Sequence, residues 1–169
     1  MGPRRVIPRF QTANPADAVE EAFFRIQREQ MADVPILNPA LSVKAVDFQR
    51  WQGHWLGVVV TPWCMSLLLL PGSEQGWVAT GDNKRRFVRF PAGDFAFLGS
   101  SEVELGEYQS CPLFSPMDRF ASQHQASLTA RASLVALLTV PGRAEAANEA
   151  NPAPAEQPSL PRRRFLALR

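Results

Sequence analysis

The stretch WLGVVVTPWCMSLLLLPG, residues 55–72, is the most apolar part of the chain and decides its fold. A β-branched run at residues 58–60 and a leucine run at residues 67–70 lie on either side of Thr61-Pro62. Two short apolar runs around a turn predict a pair of neighbouring strands that are buried on at least one face. Because proline lacks an N–H donor, Pro62 is expected at a strand end, which places the residues after it at the rim of a sheet.

The same stretch does not predict a membrane span. A spanning helix needs about 20 apolar residues, and this stretch is short and is interrupted by Gly57 and Pro62. The chain has 169 residues and is 46% hydrophobic, which is typical of one globular domain with a core that needs no disulfide. With two cysteines and no apolar export segment near residue 1, we expect free thiols and a cytoplasmic location.

Charge divides the chain into three parts. Residues 1–15 have three arginines and no acidic residue, which predicts a flexible basic arm. Residues 141–169 combine an Ala/Pro-rich linker with a basic tail and are too poor in large apolar residues to fold, so we expect disorder there. Residues 16–140 form the predicted domain, and they have more acidic than basic residues. This balance argues against a nucleic-acid binder and suits a basic peptide partner or a plain solvated surface.

The predicted fold class is α+β, a two-layer sandwich. A helix from Pro15 to about Met31, with Asn14 as N-cap, and a second helix capped by Ser115 are expected on one face of the sheet. About five mostly antiparallel strands are expected, because the connections between them are short. They comprise residues 41–48, the central pair, residues 84–90 and residues 95–98, whereas residues 99–114 are expected to be irregular.

No arrangement of residues predicts catalysis or metal binding. The soft ligands His54, Cys64, Cys111 and His124 are scattered and not at metal-ligand spacing. No phosphate-binding loop and no G-x-S-x-G motif is present. We therefore predict a binding protein rather than an enzyme, with no cofactor and no metal.

Two apolar stretches outside regular elements are candidates for partner binding. Trp63, Cys64 and Met65 follow Pro62, and Leu113 and Phe114 lie between two prolines that restrict the backbone. Either stretch could simply close the core. The functional alternative is that Trp63, Met65, Leu113 and Phe114 form one partly exposed apolar patch. The full set of candidate partner-binding residues is Trp55, Pro62, Trp63, Met65, Leu113, Phe114, Pro116 and Met117.

These stretches belong to a longer series of motifs. The series consists of Met31-x-Asp33-x-Pro35-x-x-Asn38, Gly53-x-Trp55-Leu56-Gly57-Val58, Thr61-Pro62-Trp63-Cys64-Met65, the run from Leu67 to Pro71, Phe90-Pro91-x-Gly93-x-Phe95 and Cys111-Pro112-Leu113-Phe114-Ser115-Pro116-Met117. In this order the motifs resemble the nickel-iron hydrogenase assembly chaperone family of the HybE type, also called HupJ/HoxT-like. The resemblance covers about residues 16–140.

The resemblance implies a function in bacterial hydrogenase maturation. Proteins of this family are cytoplasmic accessory proteins for membrane-bound nickel-iron uptake hydrogenases, and they have a two-layer α/β sandwich fold. The resemblance implies binding to a hydrogenase subunit precursor, notably the small subunit with its twin-arginine signal, before export. Other hydrogenase accessory proteins are further expected partners. Some relatives have a fused rubredoxin domain with paired C-x-x-C motifs, which this chain lacks, so no iron is expected.

Two other functions are consistent with the sequence. One is a small thiol-based redox or oxygen-protection factor for hydrogenase maturation that uses Cys64 and Cys111. The other is a structural subunit that remains in the finished enzyme. Replacing both cysteines separates the first from a chaperone, because a chaperone keeps its partner affinity without thiols.

The C-terminal tail contains a copy of an export motif. Arg162, Arg163, Phe165 and Leu166 reproduce the R-R-x-F-L core of a twin-arginine signal, although such signals are N-terminal. A basic tail with chance similarity, or a weak contact with anionic lipid, also explains these residues. The third hypothesis is mimicry, in which the tail occupies the chaperone's own signal-peptide site at a high effective concentration.

Overall fold

The computed structural model describes residues 9–142 and has two helices and six strands in that range. The elements are α1 (Ala16–Gln30), β1 (Lys44–Trp51), β2 (His54–Val60), β3 (Met65–Leu70), β4 (Arg85–Phe90), β5 (Gly93–Glu102), β6 (Gly106–Phe114) and α2 (Gln123–Leu137). Neither helix among the described residues is long and apolar enough to cross a bilayer.

The six strands form one antiparallel sheet with the order β1-β2-β3-β6-β5-β4. The predicted central pair is present: Trp55 pairs with Leu70 and Val60 pairs with Met65, so the chain reverses at the turn that contains Pro62. The α+β class and the antiparallel sheet are therefore confirmed.

The two helices lie on opposite faces of this sheet. Val58 packs in a core that contains Leu134 of α2, whereas its neighbour Val59 packs in a core that contains Phe23 of α1. Successive side chains of a strand point to opposite faces. The prediction of a two-layer sandwich with both helices on one face is therefore wrong, and the layers are helix, sheet and helix. We call the two faces the α1 side and the α2 side.

The sequence contains a pattern that explains the third layer. A strand with one solvent-exposed face alternates apolar and polar residues, but residues 58–60 and 67–70 are continuously apolar. Such runs are typical of strands that are covered on both faces. Consistent with this, every residue of β2 is buried.

The sixth strand, β6, lies in the segment that was predicted to be irregular, and it makes the predicted number of about five strands too low. It pairs with β3 and β5 near the middle of the sheet. Its buried residues include Glu107 and Gln109, which hold backbone groups of the β3–β4 loop, residues 71–84. Because these polar residues occupy buried positions, β6 lacks the apolar alternation by which a strand is recognised.

Both helix starts differ from the prediction. The Oδ1 of Asn14 accepts from the backbone N–H of Ala16 at 3.0 Å, but the N-cap residue is Pro15, so Asn14 lies one residue before the N-cap. The second helix does not begin at Ser115. Its N-cap is Ser122, whose Oγ accepts from the backbone N–H of Gln125 at 3.1 Å.

The segment before α1 is attached to the sheet. The indole Nε1 of Trp55 donates to the carbonyl oxygen of Gln11 at 2.8 Å. The backbone N–H of Gln11 in turn donates to the carbonyl oxygen of Pro71 at 2.8 Å. Arg9 also donates to the backbone carbonyl oxygen of Glu104. The predicted flexible arm therefore does not include residues 9–14. The predictions for residues 1–8 and 143–169, including the C-terminal motif, lie outside the described residues.

The sheet curls toward the α2 side. Trp51 at the end of β1 stacks on Phe90 at the end of β4, with ring centroids 4.6 Å apart. These strands are the two edges of the sheet. The curl therefore brings the edges together and creates a seam between them.

Candidate functional site

Three of the motifs meet at one end of the sheet through Asn38. Its backbone N–H donates to the carbonyl oxygen of Pro62 at 2.9 Å. Its Nδ2 donates to the carbonyl oxygens of Met117 at 2.9 Å and of Phe120 at 2.7 Å. One asparagine therefore joins segments that are distant in sequence into a single structure. We call Asn38 with residues 61–65 and 113–120 the motif rim.

The predicted partner-binding residues differ in their exposure. Those buried in the core are Trp55, Pro62, Met65 and Met117. Those half-buried are Trp63, Leu113 and Phe114, and Pro116 is exposed. The core interpretation therefore applies to the buried four, whereas the other four are accessible to a partner.

The accessible residues do not form one patch. Trp63 packs against the α1-side core, whereas Leu113 and Phe114 pack against the α2-side core. Met65, the fourth member of the predicted patch, is fully buried. The prediction of a single apolar patch is therefore wrong, because the sheet separates its members.

Trp55 has a structural role. Its ring is buried, and its Nε1 donor is occupied by Gln11, as described above. The guanidinium of Arg50 lies 4.3 Å from the ring centroid, on its face, which is a cation–π geometry. These contacts fix the N-terminal segment against the sheet and leave the ring little surface for a partner.

The two thiols lie in different environments. Cys111 is buried in the α2-side core, and Cys64 is half-buried at the motif rim. Burial raises the pKa of the Cys64 thiol above its ordinary value, although hydrogen bonds from Thr61 and Ser66 partly offset this. A raised pKa disfavours the reactive thiolate. The geometry therefore does not favour the redox alternative.

The soft metal ligands remain apart in the fold. His54 is buried at the start of β2, and His124 is exposed in the first turn of α2. Within residues 9–142, no three His, Cys, Asp or Glu side chains are grouped so that they could hold a metal ion.

A groove along α1 is the larger of the two cavities that we describe, with a volume of about 570 Å³. We call it the α1 groove. It is lined by Asp17, Glu20, Glu21, Phe24, Arg25, Arg28 and Glu104. Its four carboxylates outnumber its two guanidinium groups. Its one aromatic residue, Phe24, is 41% exposed. The groove therefore combines an excess of negative charge with an accessible apolar ring.

The charged residues of the groove include a paired group and two unpaired carboxylates. Arg25 donates to Glu104 at 2.8 Å through its Nε and also binds Glu102 and Glu29. These bonds raise the pKa of the Arg25 guanidinium, and Arg25 lowers the pKa of Glu104. Asp17 and Glu21 are exposed and have no ion-pair partner among residues 9–142. The paired group shapes the groove, and the unpaired group is free to bind a cation.

No function was predicted from the sequence for Glu20, Glu21, Arg25 or Arg28. The available clue was the Phe23-Phe24 pair. Adjacent helical residues do not share a face, so only one ring can enter the core. Phe23 is buried and Phe24 remains outside among the carboxylates.

Comparisons with known proteins agree with this fold. The family model described as "[NiFe]-hydrogenase assembly, chaperone, HybE" matches residues 14–168. The hydrogenase expression/formation protein HupJ of Bradyrhizobium diazoefficiens is 38% identical over 150 residues, which are 89% of this chain and 85% of that protein. The protein HoxT of Cupriavidus necator is 39% identical over 123 residues, 66% of this chain and 69% of its own length. The solution structure of HybE from Escherichia coli superposes with a TM-score of 0.65 at 30% identity, covering 80% of this chain and 83% of that one.

Proposed function

Because this chain belongs to the [NiFe]-hydrogenase assembly chaperone family HybE, we propose that it binds a hydrogenase small-subunit precursor through its twin-arginine signal. Binding takes place in the cytoplasm, before export, and involves no catalysis. The α1 groove is the observation that supports this partner, because it combines unpaired carboxylates with an exposed aromatic ring.

The charges of the α1 groove suit the first part of such a signal peptide. Asp17 and Glu21 can each pair with a guanidinium without breaking an existing ion pair among residues 9–142. Single surface ion pairs contribute only about 0.2–1 kcal/mol. The two carboxylates therefore orient the signal peptide and speed its association more than they increase its affinity. Phe24 supplies apolar surface for the hydrophobic residues that follow the arginines.

The motif rim is a second proposed contact. Trp63, Leu113, Phe114 and Pro116 are the predicted partner-binding residues that remain accessible. Since they divide between two faces, they suit a folded or wrapping precursor better than a short peptide. If Trp63 is a contact, its replacement by alanine weakens precursor binding by more than about 1–2 kcal/mol. Urea unfolding of the same variant must show that the unfolded fraction is too small to account for the lost precursor binding.

Titration calorimetry with a synthetic signal peptide tests the α1 groove. The double variant Asp17→Asn, Glu21→Gln should bind about threefold to tenfold more weakly at low ionic strength. Phe24→Ala should weaken binding by about tenfold, as is typical of an accessible aromatic contact. The matched control is Asp33→Asn, Glu74→Gln, which removes the same charge from exposed residues outside the groove.

Two results would overturn the groove as the site. One is equal weakening in the control variant, which would show that only net charge matters. The other is equal affinity for a peptide whose two arginines are replaced by alanine.

The same titration tests the proposed mimicry by the C-terminal tail, whose residues Arg162, Arg163, Phe165 and Leu166 lie outside the described residues. If the tail occupies the signal-peptide site, truncation after Pro141 should tighten binding, and Arg162→Ala with Arg163→Ala should do the same. Equal affinity of all three forms would leave the tail without this role.

A further inference from the structure

A second cavity, of about 300 Å³, lies on the α2 side at the seam between the two edges of the sheet. We call it the seam pocket. It is lined by Trp51, Gln52, His54, Leu69, Gly76, Trp77, Arg86, Phe87, Val88 and Arg89. Its volume is at the lower end of the range for small-ligand sites. None of the proposed contacts in the α1 groove or at the motif rim belongs to it.

The β3–β4 loop forms one wall of this pocket and is fixed by the sheet. Gln109 donates through its Nε2 to the carbonyl oxygen of Val78 at 2.7 Å, and Arg86 donates to the same oxygen at 3.0 Å. The backbone N–H of Thr80 donates to the buried carboxylate of Glu107 at 3.2 Å. These bonds hold Trp77, one residue before Val78, with its ring 5.3 Å from that of His54. The wall is therefore preformed.

The polar groups of the pocket are mainly donors. Arg86 is half-buried and makes no ion pair with a carboxylate among residues 9–142. Burial lowers the pKa of its guanidinium. The Nε1 of Trp77 is buried and has no hydrogen-bond partner among the described residues. No Asp or Glu in the described part of the chain lines the cavity.

A buried donor without an acceptor is costly, and a half-buried guanidinium without a counter-ion is costly too. A carboxylate satisfies both groups, because it is an acceptor only and pairs with guanidinium through two parallel hydrogen bonds. The remaining walls are the rings of Trp51 and Phe87 and the side chains of Leu69 and Val88. These walls suit an apolar side chain beside the carboxylate.

We propose that the seam pocket binds the free carboxyl end of a partner polypeptide whose last residue is apolar. An end fits better than an internal segment because the stacked rings of Trp51 and Phe90 close the seam beside the pocket. Arg86 pairs with the terminal carboxylate, and the Trp77 indole donates to it. This site is separate from the proposed signal-peptide site, because the two cavities share no lining residue. Different probes therefore test the two proposals.

Nitrogen-15 NMR of the full chain tests the proposal with three small probes. They are N-acetyl-Leu-Phe with a free carboxyl end, the same dipeptide as its amide, and N-acetyl-Asp-Phe amide, which has its carboxylate on a side chain. Only the first probe should shift the Trp77 indole signal in a saturable manner. The Trp55 indole is the internal control, because its N–H is already bound to Gln11.

Matched variants separate pairing from general attraction. Arg86→Gln should weaken binding of the free-acid probe by about tenfold or more, as expected for a charge-assisted hydrogen bond. Arg85→Gln removes the same charge from the same strand, but Arg85 is exposed and does not line the pocket. Its effect should be less than about threefold, as for other exposed charges.

Four results would overturn the proposal. Equal binding of the amide would show that the pocket takes only the apolar ring. Equal binding of the Asp probe would show that a peptide end is not required. Equal weakening of probe binding by the Arg85 and Arg86 variants would show that Arg86 acts only through long-range electrostatic attraction. Unchanged Trp77 and His54 signals at millimolar free-acid probe would mean that the cavity is not a binding site.

Discussion

The α1 groove and the seam pocket differ in charge, in position and in how the chain builds them. The groove is acidic and belongs to the helix on one side of the sheet, whereas the pocket contains two arginines and lies on the other side. Six of the seven groove residues come from α1, and only Glu104 comes from elsewhere. The pocket takes its residues from four strands, the β1–β2 turn and the β3–β4 loop.

This difference has a physical consequence for the two sites. Five of the six charged groove residues belong to α1, so they keep their arrangement as long as α1 stays docked. The pocket exists only when the sheet is curled and the β3–β4 loop is fixed. Variants that loosen one side should therefore disturb one site and spare the other.

The largest expected effects come from truncating the two cores one at a time. Leu67 and Leu68 are adjacent on β3 and almost fully buried, but Leu67 packs on the α2 side and Leu68 on the α1 side. Replacing either by alanine should lower the free energy of unfolding by about 2–5 kcal/mol, measured by urea denaturation. In the folded fraction, Leu67→Ala should alter the NMR signals of the seam pocket, and Leu68→Ala should alter those of the α1 groove. If both variants alter the same signals, the two sides are not independent.

A smaller effect is expected from Gly99→Ala. A Cβ at Gly99 would overlap the carbonyl oxygen of Gly81 and the Oγ1 of Thr80, both in the β3–β4 loop. Overpacking of this kind costs about 1–3 kcal/mol, and here it should displace the wall that holds Trp77. Binding of the free-acid probe should be lost while the signal peptide still binds.

Gly142→Ala is the control for this variant, because a Cβ at Gly142 would meet no atom within 4 Å among the described residues. If Gly99→Ala leaves the Trp77 signals unchanged, the loop does not form the wall in solution.

Much of the fold follows from the sequence because its signals are local. The reversal at Pro62 and the amphipathic character of α1 each depend on residues within one short window. The third layer and β6 were not predicted. The third layer is indicated by the continuous apolar runs at residues 58–60 and 67–70, which are typical of strands covered on both faces. β6 contains buried polar residues that hydrogen-bond to the β3–β4 loop, which is a non-local contact.

The candidate sites follow from the sequence to different degrees. The motifs do meet at Asn38, but Met65 and Met117 are core residues. A motif alone does not distinguish them from binding residues, because motif residues can serve packing as well as binding. The groove could have been found from the position of Phe24 beside the carboxylates of α1. The seam pocket could not, because Trp51, Trp77 and Arg86 meet only through the curl of the sheet.

The ion pairs of the groove should respond to acid. Arg25 holds the pKa of Glu104 below its ordinary value, so this pair stabilises the fold above about pH 4.5, and the stabilisation is lost as the pH falls through the lowered pKa. Arg25→Gln should therefore be less stable than the parent protein at pH 7, and the difference should shrink by pH 3. Arg28→Gln removes the same charge one turn later and should show a smaller difference at pH 7. Urea denaturation at both pH values measures this, and a pH-independent difference would contradict it.

The smallest expected effect concerns His54 at the seam pocket. Its Nδ1 accepts from the backbone N–H of Gly72 at 3.1 Å, so it needs the neutral ring. Burial lowers the pKa of His54, the positive charges of Arg86 and Arg50 lower it further, and the nearby carbonyl groups of Gly76 and Gln75 offset part of this.

The unfolded chain therefore takes up a proton near pH 6.5, at a higher pH than the folded protein does. Stability due to His54 is complete above that pH and is lost as the pH falls through the lowered pKa. The free energy of unfolding should decrease between pH 7.5 and 5.5 in the parent protein and in the control His124→Gln, but not in His54→Gln. The free-acid probe should reduce the loss, because a carboxylate beside the ring raises the pKa of His54. A decrease of the same size in His54→Gln would show that another group titrates. If the free-acid probe does not reduce the loss of stability, its carboxylate does not bind beside His54.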